Sequence, residues 1–214
     1  MHEQDHGLIL RVRPLSESSL VVQWLASGLG RISTVAKGAR RPKSPFLGKL
    51  DLFVSADLSV ACSTRSTLHI LREVVVSRRR EALARDLRPL SMAAYAVHAI
   101  ELATEPDTPV PEIYELMTAF LDHLVEHPPA ARSLLAFELK LLACLGLEPD
   151  PAESSLPPAA RELLMALLDA DWMDLPGLKA DPAVARFIGP YLHGFIIHHL
   201  GRLPKGRAEA LGRT

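Results

Sequence analysis

The hydrophobic pattern of this chain changes near residue 80, and that change constrains the fold more than any other feature. Before it, five segments show the short apolar runs and partial alternation that are typical of β-strands: residues 8–13, 20–25, 31–36, 50–62 and 68–76. Gly28 and Gly30 mark a hairpin turn between the second and third segments. Five short strands with turn residues between them predict a small closed barrel or a sandwich.

After residue 80 the pattern becomes helical. An alanine-rich stretch covers residues 91–103, apolar residues recur at helical spacing in 113–124 and 134–145, and shorter patterns follow at 163–168 and 184–200. Pro190 lies inside the last pattern and is expected to kink or restart that helix, because proline has no N–H to donate. The apolar stripes are expected to form a helix-bundle core, and a groove for a partner peptide is the alternative. The chain is therefore predicted to have two domains, a β domain at 1–80 and a helical domain at 81–214.

The net charge of the chain also changes sign near residue 80. Residues 1–80 hold thirteen Lys/Arg and six Asp/Glu, which sum to +7, and residues 81–214 hold eleven and nineteen, which sum to −8, so that the net charge is −1. Two opposed halves suggest one module for an anionic polymer and another for a different partner. No run of eighteen apolar residues is present, so no membrane span is expected, and the polar N-terminal residues do not resemble a signal peptide. A cytoplasmic location is expected, with Cys62 and Cys144 as free, buried thiols.

The basic half contains a cationic loop, defined here as residues 37–49 with the sequence KGARRPKSPFLGK. Its glycines and prolines keep it out of regular helix or strand, and it contains no acidic residue. Clustered Lys and Arg suit a run of phosphates, because each cation can pair with one phosphate and release a counterion. A solvated loop without a ligand is the alternative. The positive charges are Lys37, Arg40, Arg41, Lys43 and Lys49.

Other residues near this loop have two interpretations each. Phe46 either stacks on a nucleic-acid base or packs into the barrel and anchors the loop. The triplet Arg78, Arg79 and Arg80 follows the last strand, where the start of a helix disfavours positive charge, and part of it is therefore expected to serve binding.

No catalytic motif is recognisable. The chain has no GxSxG, Walker, HExxH or CxxC pattern. Asp51, Asp57 and Glu73 are the only carboxylates near the cationic loop, and a metal-dependent nuclease would need them to converge on one site. They come from separate segments, so we expect no enzyme and no cofactor.

Several segments resemble one protein family. Residues 17–22 (ESSLVV) and 30–44 (GRISTVAKGARRPKS), continued by Phe46, Gly48, Leu50 and residues 52–53, resemble the N-terminal signature of the bacterial DNA repair protein RecO family. Residues 137–142 (FELKLL) with Gly146 and Pro149, and residues 198–201 (HHLG), resemble two further family segments.

The resemblance implies an α+β protein with an N-terminal five-stranded OB-fold barrel followed by an all-helical domain. It implies a non-enzymatic, nucleoid-associated recombination mediator that binds single- and double-stranded DNA, anneals complementary strands, works with RecR and helps load RecA in the RecF pathway. An OB-fold RNA-binding protein and a helical interaction adaptor are the alternatives. The candidate nucleic-acid-binding residues are Arg31, Lys37, Arg40, Arg41, Lys43 and Lys49.

The resemblance also implies a docking site on the helical domain for the acidic C-terminal tail of single-strand-binding protein. Basic residues beside apolar stripes are the candidates for that site: Arg132, Lys140, Arg186 and Arg202. Two departures from the family pattern stand out. Residues 147–214 lack the four cysteines of the zinc site that many members carry, so no structural zinc is expected, and Pro45 stands where a basic residue is common.

Overall fold

The N-terminal part of the chain forms a closed five-stranded β-barrel. The computed structural model describes residues 2–150 and 154–212. The strands are β1 (His2–Pro14), β2 (Leu20–Ala26), β3 (Gly30–Ala36), β4 (Ser55–Ala61) and β5 (Leu68–Arg78). They close in the order β1-β2-β3-β5-β4, with β3 and β5 parallel and the other neighbours antiparallel. The predicted barrel and the α+β class are confirmed.

Apolar side chains at alternate positions along the strands fill the barrel. Val22, Trp24 and Ile32 point into a core that is closed to solvent. Trp24 also satisfies its indole N–H there, because Nε1 donates to Thr34 Oγ1 at 2.9 Å. The β2–β3 hairpin requires glycine at Gly30, whose φ is 71° and where a Cβ would stand 1.8 Å from the Thr108 carbonyl oxygen.

The fourth strand is shorter than the sequence indicates. Residues 50–54 are not extended, and β4 begins only at Ser55. Asp51 accepts a hydrogen bond from the backbone N–H of Leu52, and Phe53 adopts a φ of 62°, which reverses the chain. Backbone bonds from Phe53 N to the Ile9 carbonyl oxygen (3.0 Å) and from Ile9 N to the Val54 carbonyl oxygen (2.9 Å) fix the turn against β1. Phe53 and Val54 are thus apolar because they are buried, although they lie outside the strand.

Six α-helices follow the barrel in the described chain. Their bounds are α1 (Leu87–Ala103), α2 (Pro111–Glu126), α3 (Ala131–Cys144), α4 (Pro158–Asp169), α5 (Pro182–Leu200) and α6 (Arg207–Ala210). The Asp181 side chain accepts from Ala183 N at 2.8 Å and caps α5. Helix α5 continues through the exposed Pro190, so it does not restart there. Within the described ranges, no helix has both the length and the apolarity to cross a membrane.

The contacts divide the chain into two compact units. The first contains residues up to Glu81 together with Thr104–Thr118, and the second contains Ala82–Ala103 and the residues from Ala119 onward. The segment Thr104–Thr118 thus groups with the barrel although it follows α1 in sequence. The domain boundary expected at residue 80 stays a prediction. The two cysteines do not form a disulfide, but Cys62 is half-buried and Cys144 is exposed, so the expectation of buried thiols is wrong.

A buried ion pair lies in the core of the helical unit. The Glu138 carboxylate on α3 is 2% exposed and accepts two bonds of 2.7 Å from the Arg207 guanidinium on α6. The Tyr95 hydroxyl on α1 donates to the same carboxylate at 2.5 Å. Burial, followed by the charge of Glu138, raises the pKa of Tyr95, so the phenol stays protonated and remains a donor. The ion pair connects α6 to α3, and the Tyr95 hydroxyl connects α1 to the same carboxylate.

Candidate nucleic-acid interface

The cationic loop is a chain of tight turns that leaves the barrel after β3. Backbone bonds of the i to i+3 type run from Arg41 N to the Gly38 carbonyl oxygen (3.0 Å), from Ser44 N to that of Arg41 (3.0 Å) and from Lys49 N to that of Phe46 (3.0 Å). The loop therefore has a defined backbone although it contains no helix or strand.

Phe46 anchors this loop. Its side chain is 6% exposed and belongs to the barrel core. Of the two interpretations of Phe46, the structure supports the anchor, because a buried ring is not presented to a base. The preceding part of the loop is held against the β1–β2 connection, since Arg40 N donates to the Ser18 carbonyl oxygen at 3.0 Å and Gly38 N to Ser19 Oγ at 3.4 Å.

Four of the six candidate nucleic-acid-binding residues lie together on this anchored loop and are exposed: Lys37, Arg40, Arg41 and Lys43. The Arg40 guanidinium makes one long bond of 3.4 Å to the Ser16 carbonyl oxygen. Four cations on a short, acid-free loop form a compact patch of positive charge.

The other two candidates are half-buried and hydrogen-bonded within the barrel unit. Lys49 Nζ donates to the Val74 carbonyl oxygen at 2.9 Å. Arg31 donates to Thr104 through Nε to Oγ1 (3.2 Å) and through a terminal nitrogen to the carbonyl oxygen (2.8 Å). These bonds give Lys49 and Arg31 a structural role within the barrel unit, which distinguishes them from the four exposed cations.

Two arginines of the triplet, Arg79 and Arg80, follow β5 and also bond within the barrel unit. Arg80 is 5% exposed and donates to the Phe53 carbonyl oxygen (3.0 Å) and to Ser55 Oγ (2.8 Å). Arg79 donates to the Gly48 carbonyl oxygen at 2.6 Å, at the end of the cationic loop. The guanidinium of Arg80 therefore satisfies the carbonyl of the unusual turn at Phe53.

The three carboxylates tested for nuclease chemistry do not all meet. Asp57 and Glu73 line one shallow pocket of about 390 Å³ on the outside of the barrel, and Asp51 lies elsewhere. In that pocket Asp57 pairs with the His6 ring. Among the residues that the structure describes, no group of three or more His, Cys, Asp or Glu side chains is placed to hold a metal ion.

A second groove on the barrel surface was not singled out by the sequence analysis. It has a volume of about 240 Å³ and is lined by Arg11, Arg13, Val21, Gln23 and Ser33. The signal that could have found it is the alternation of arginine with Val12 in β1, which places both guanidinium groups on one face of the strand.

The helical unit contains an apolar groove of about 290 Å³. Helices α3, α4 and α5 form its walls, with Leu135, Leu163 and Ile188 among the lining residues. Two of the four candidate partner-binding residues, Arg132 and Arg186, also line it. Arg132 donates to the Leu178 carbonyl oxygen at 2.9 Å, and the Arg186 guanidinium lies 5.2 Å from the centre of the Phe187 ring.

The other two partner-binding candidates lie outside this apolar groove. Lys140 Nζ donates to the Leu168 carbonyl oxygen at 2.5 Å and lies 6.0 Å from the centre of the Trp172 ring. Burial lowers the pKa of Lys140 from its ordinary value. Arg202 is exposed just beyond the end of α5.

A closed barrel of five strands with this order is an OB-fold, here followed by helices. Family models for two parts of one protein match the chain: "Recombination protein O N terminal" over residues 1–97 and "Recombination protein O C terminal" over residues 84–153. The chain belongs to the RecO family.

Individual relatives agree with this assignment. A protein of Rhodopirellula baltica named DNA repair protein RecO is 34% identical over 143 residues, which cover 67% of this chain and 53% of the relative. Proteins of the same name from Anaeromyxobacter sp. (strain K) and Myxococcus xanthus are 36% and 32% identical, over 67% and 68% of this chain and 56% and 59% of their own lengths. The chain spans a little over half the length of the curated relatives it matches.

Proposed function

We propose that this chain is a non-enzymatic recombination mediator, which binds single- and double-stranded DNA, anneals complementary strands and helps load RecA in RecF-pathway repair. The observation that carries the proposal is the exposed patch formed by Lys37, Arg40, Arg41 and Lys43 on a barrel of the RecO family. Phosphate contacts from such a patch provide affinity with little base preference, because phosphates carry no sequence information directly. A mediator that acts on any broken duplex needs that kind of binding.

The anchoring of the loop favours binding over a merely solvated loop. Phe46 in the core and the backbone bonds of Arg40 and Gly38 to the β1–β2 connection restrict the loop before any ligand arrives. A preorganised loop loses less conformational entropy on binding than a flexible one. Each phosphate contact of the four exposed cations therefore contributes more to the free energy of binding.

We propose that the apolar groove of the helical unit receives the C-terminal tail of single-strand-binding protein. That tail is acidic and ends in an apolar residue, so it needs an apolar slot with a cation at its edge. The groove offers such a slot, and Arg132 and Arg186, which line it, would pair with a terminal carboxylate. RecR is proposed as a further partner on the family membership alone.

Strand annealing tests the proposed function directly. Complementary oligonucleotides are coated with single-strand-binding protein, and duplex formation is followed by fluorescence with and without the full chain. We expect the wild-type protein to accelerate annealing and the double variant Arg40→Ala/Arg41→Ala to do so much less. Wild-type protein that neither binds DNA nor accelerates annealing would contradict the proposal. Cleavage of the oligonucleotides after magnesium is added would show an enzyme instead.

A further inference from the structure

We propose that His123 and His127 form a proton-sensitive switch, which holds a wall of the apolar groove in place while both rings are neutral and loosens it when one ring takes up a proton. The inference rests on the proposed function, because it adds a regulation to the groove that is assigned there to a peptide tail. The two histidines and the groove belong to the same compact unit.

The two imidazole rings stack at the C-terminal end of α2. The backbone N–H of His127 donates to the His123 carbonyl oxygen at 2.9 Å, so the two residues lie on one face of the helix end. Their ring centres are 4.7 Å apart, and the planes of the rings differ by 21°. Two neutral rings can stack at this distance, whereas two charged rings repel each other.

The surroundings of the rings do not provide for an added proton. His123 is 4% exposed, and its Nε2 lies 2.8 Å from Ser133 Oγ. The Nδ1 atoms of His123 and His127 are buried, and among the described residues neither has a hydrogen-bond partner. A charged imidazolium donates from both nitrogens, so protonation of His123 would leave a buried, charged donor without an acceptor.

The neighbouring charges act on His123 in both directions. Burial has the largest effect and lowers the pKa of His123, and His127 and Arg132 on α3 act in the same direction. Glu126 and the nearby backbone of Trp172 favour the charged ring, as does the C-terminal end of α2, but they do not outweigh burial. The packed arrangement therefore favours the neutral ring, and an opened arrangement takes up the proton first.

One connection from the histidine pair to the apolar groove runs through the start of α3. Ser133, which bonds to His123, is 2% exposed and directly follows Arg132 in sequence. Arg132 lines the groove and donates to the carbonyl oxygen of Leu178, which lines it too. The neutral ring of His123 thus helps to fix the segment that carries Arg132.

A second connection runs through Trp172, between α4 and α5. The Trp172 ring centre lies 5.4 Å from that of His123. Backbone turn bonds then lead from this point to the groove, from Leu175 N to the Asp171 carbonyl oxygen (3.1 Å) and from Leu178 N to that of Leu175 (3.2 Å). Both segments that meet at Leu178 therefore contact His123, so that displacement of this ring would loosen one wall of the groove.

The test uses the full chain and a fluorescently labelled acidic peptide with a terminal aromatic residue, titrated by anisotropy at about pH 7.5 and pH 5.5. An opened state whose histidine titrates near 6.5 gains up to about tenfold in population over this range, so the affinity of the wild type should fall by up to about tenfold. The carboxylates of the peptide stay ionised, because their pKa values lie near 4.

Three histidine variants and one tryptophan variant make the test specific. His123→Asn should bind the peptide almost equally at the two pH values, and His127→Asn should show a reduced pH dependence. His193→Asn changes an exposed histidine on α5 that does not line the groove, and should behave like the wild type. The emission of Trp172, obtained as the difference between wild type and Trp172→Phe, should shift to longer wavelength at the lower pH in the wild type but not in His123→Asn.

The outcomes separate this inference from the proposed function. Wild-type protein that binds the peptide equally at both pH values, or an unshifted Trp172 emission, would overturn the switch and leave the groove assignment standing. A wild-type pH dependence in both His123→Asn and His127→Asn, or its loss in His193→Asn, would also overturn the switch. His127 is only half-buried, so His127→Asn decides if His123→Asn does not fold. A peptide that does not bind at the higher pH would remove both the groove assignment and this inference.

Discussion

The salt dependence of DNA binding provides a quantitative test of the cationic loop. If the four exposed cations each contact one phosphate of a duplex, log affinity should fall with log salt at a slope of about −3.6, because each contact contributes about −0.9. Between 50 and 200 mM salt this slope lowers the affinity about 150-fold. Changing Arg40 and Arg41 to alanine removes two contacts, so the slope should become about −1.8 and the same change in salt should cost only about 12-fold.

Fluorescence anisotropy with a labelled duplex at several salt concentrations measures both slopes. Arg40 and Arg41 are exposed, and the hydrogen bonds that place the loop come mainly from its backbone, so the double variant should keep its fold. Circular dichroism and the melting temperature check that point. The double variant Arg65→Ala/Arg72→Ala is the control for net charge, because it removes two exposed cations elsewhere on the barrel unit. A slope that is unchanged in the Arg40/Arg41 variant, or equally reduced in the control, would refute the assignment of phosphate contacts to this pair.

Three further predictions concern the helical unit. Glu138→Ala should lower the free energy of unfolding by about 3–5 kcal/mol, because it leaves the buried charge of Arg207 unpaired. Arg186→Ala should weaken binding of an acidic peptide with a terminal aromatic residue about tenfold, the value of one charge-assisted hydrogen bond. Burial, followed by the nearby His127, lowers the pKa of His123, so the unfolded state takes up a proton first and the free energy of unfolding should fall as the pH drops below about 6.5.

Each of these predictions has a matched comparison. The double variant Glu138→Leu/Arg207→Met should recover much of the stability lost in Glu138→Ala, because apolar replacements remove the unpaired charge. A loss below about 1 kcal/mol in the single variant would contradict the reasoning. Arg202→Ala, outside the apolar groove, should bind the peptide like the wild type, and equal weakening would argue against the groove. His123→Asn should show a smaller loss of stability at low pH, and an unchanged pH profile would contradict the assignment to His123.

Local pattern identified most of the elements. Three of the five predicted strands match β2, β3 and β5 closely, because alternation and short apolar runs report which face of a strand is buried. The first strand begins at His2, six residues before its prediction, because its polar start lacks that pattern. The helical spacing of residues 113–124 likewise lies within Pro111–Glu126. The failure at residues 50–54 has a specific reason: Phe53 and Val54 are apolar because they are buried, and the reversal at Phe53 depends on bonds to Ile9, which is distant in sequence.

The sequence by itself located the cationic loop, since glycine, proline and the absence of acids in residues 37–49 are local properties of the chain. Only the tertiary structure separated its exposed cations from Lys49, whose ammonium group bonds to Val74, and from Arg31, which bonds to Thr104, 73 residues away. It alone brought Arg11 beside Gln23 and Ser33 through the strand register. The physical reason is that a side chain's availability depends on the carbonyls and hydroxyls that folding places next to it. Those neighbours come from distant segments, and the local spacing of residues carries no information about them.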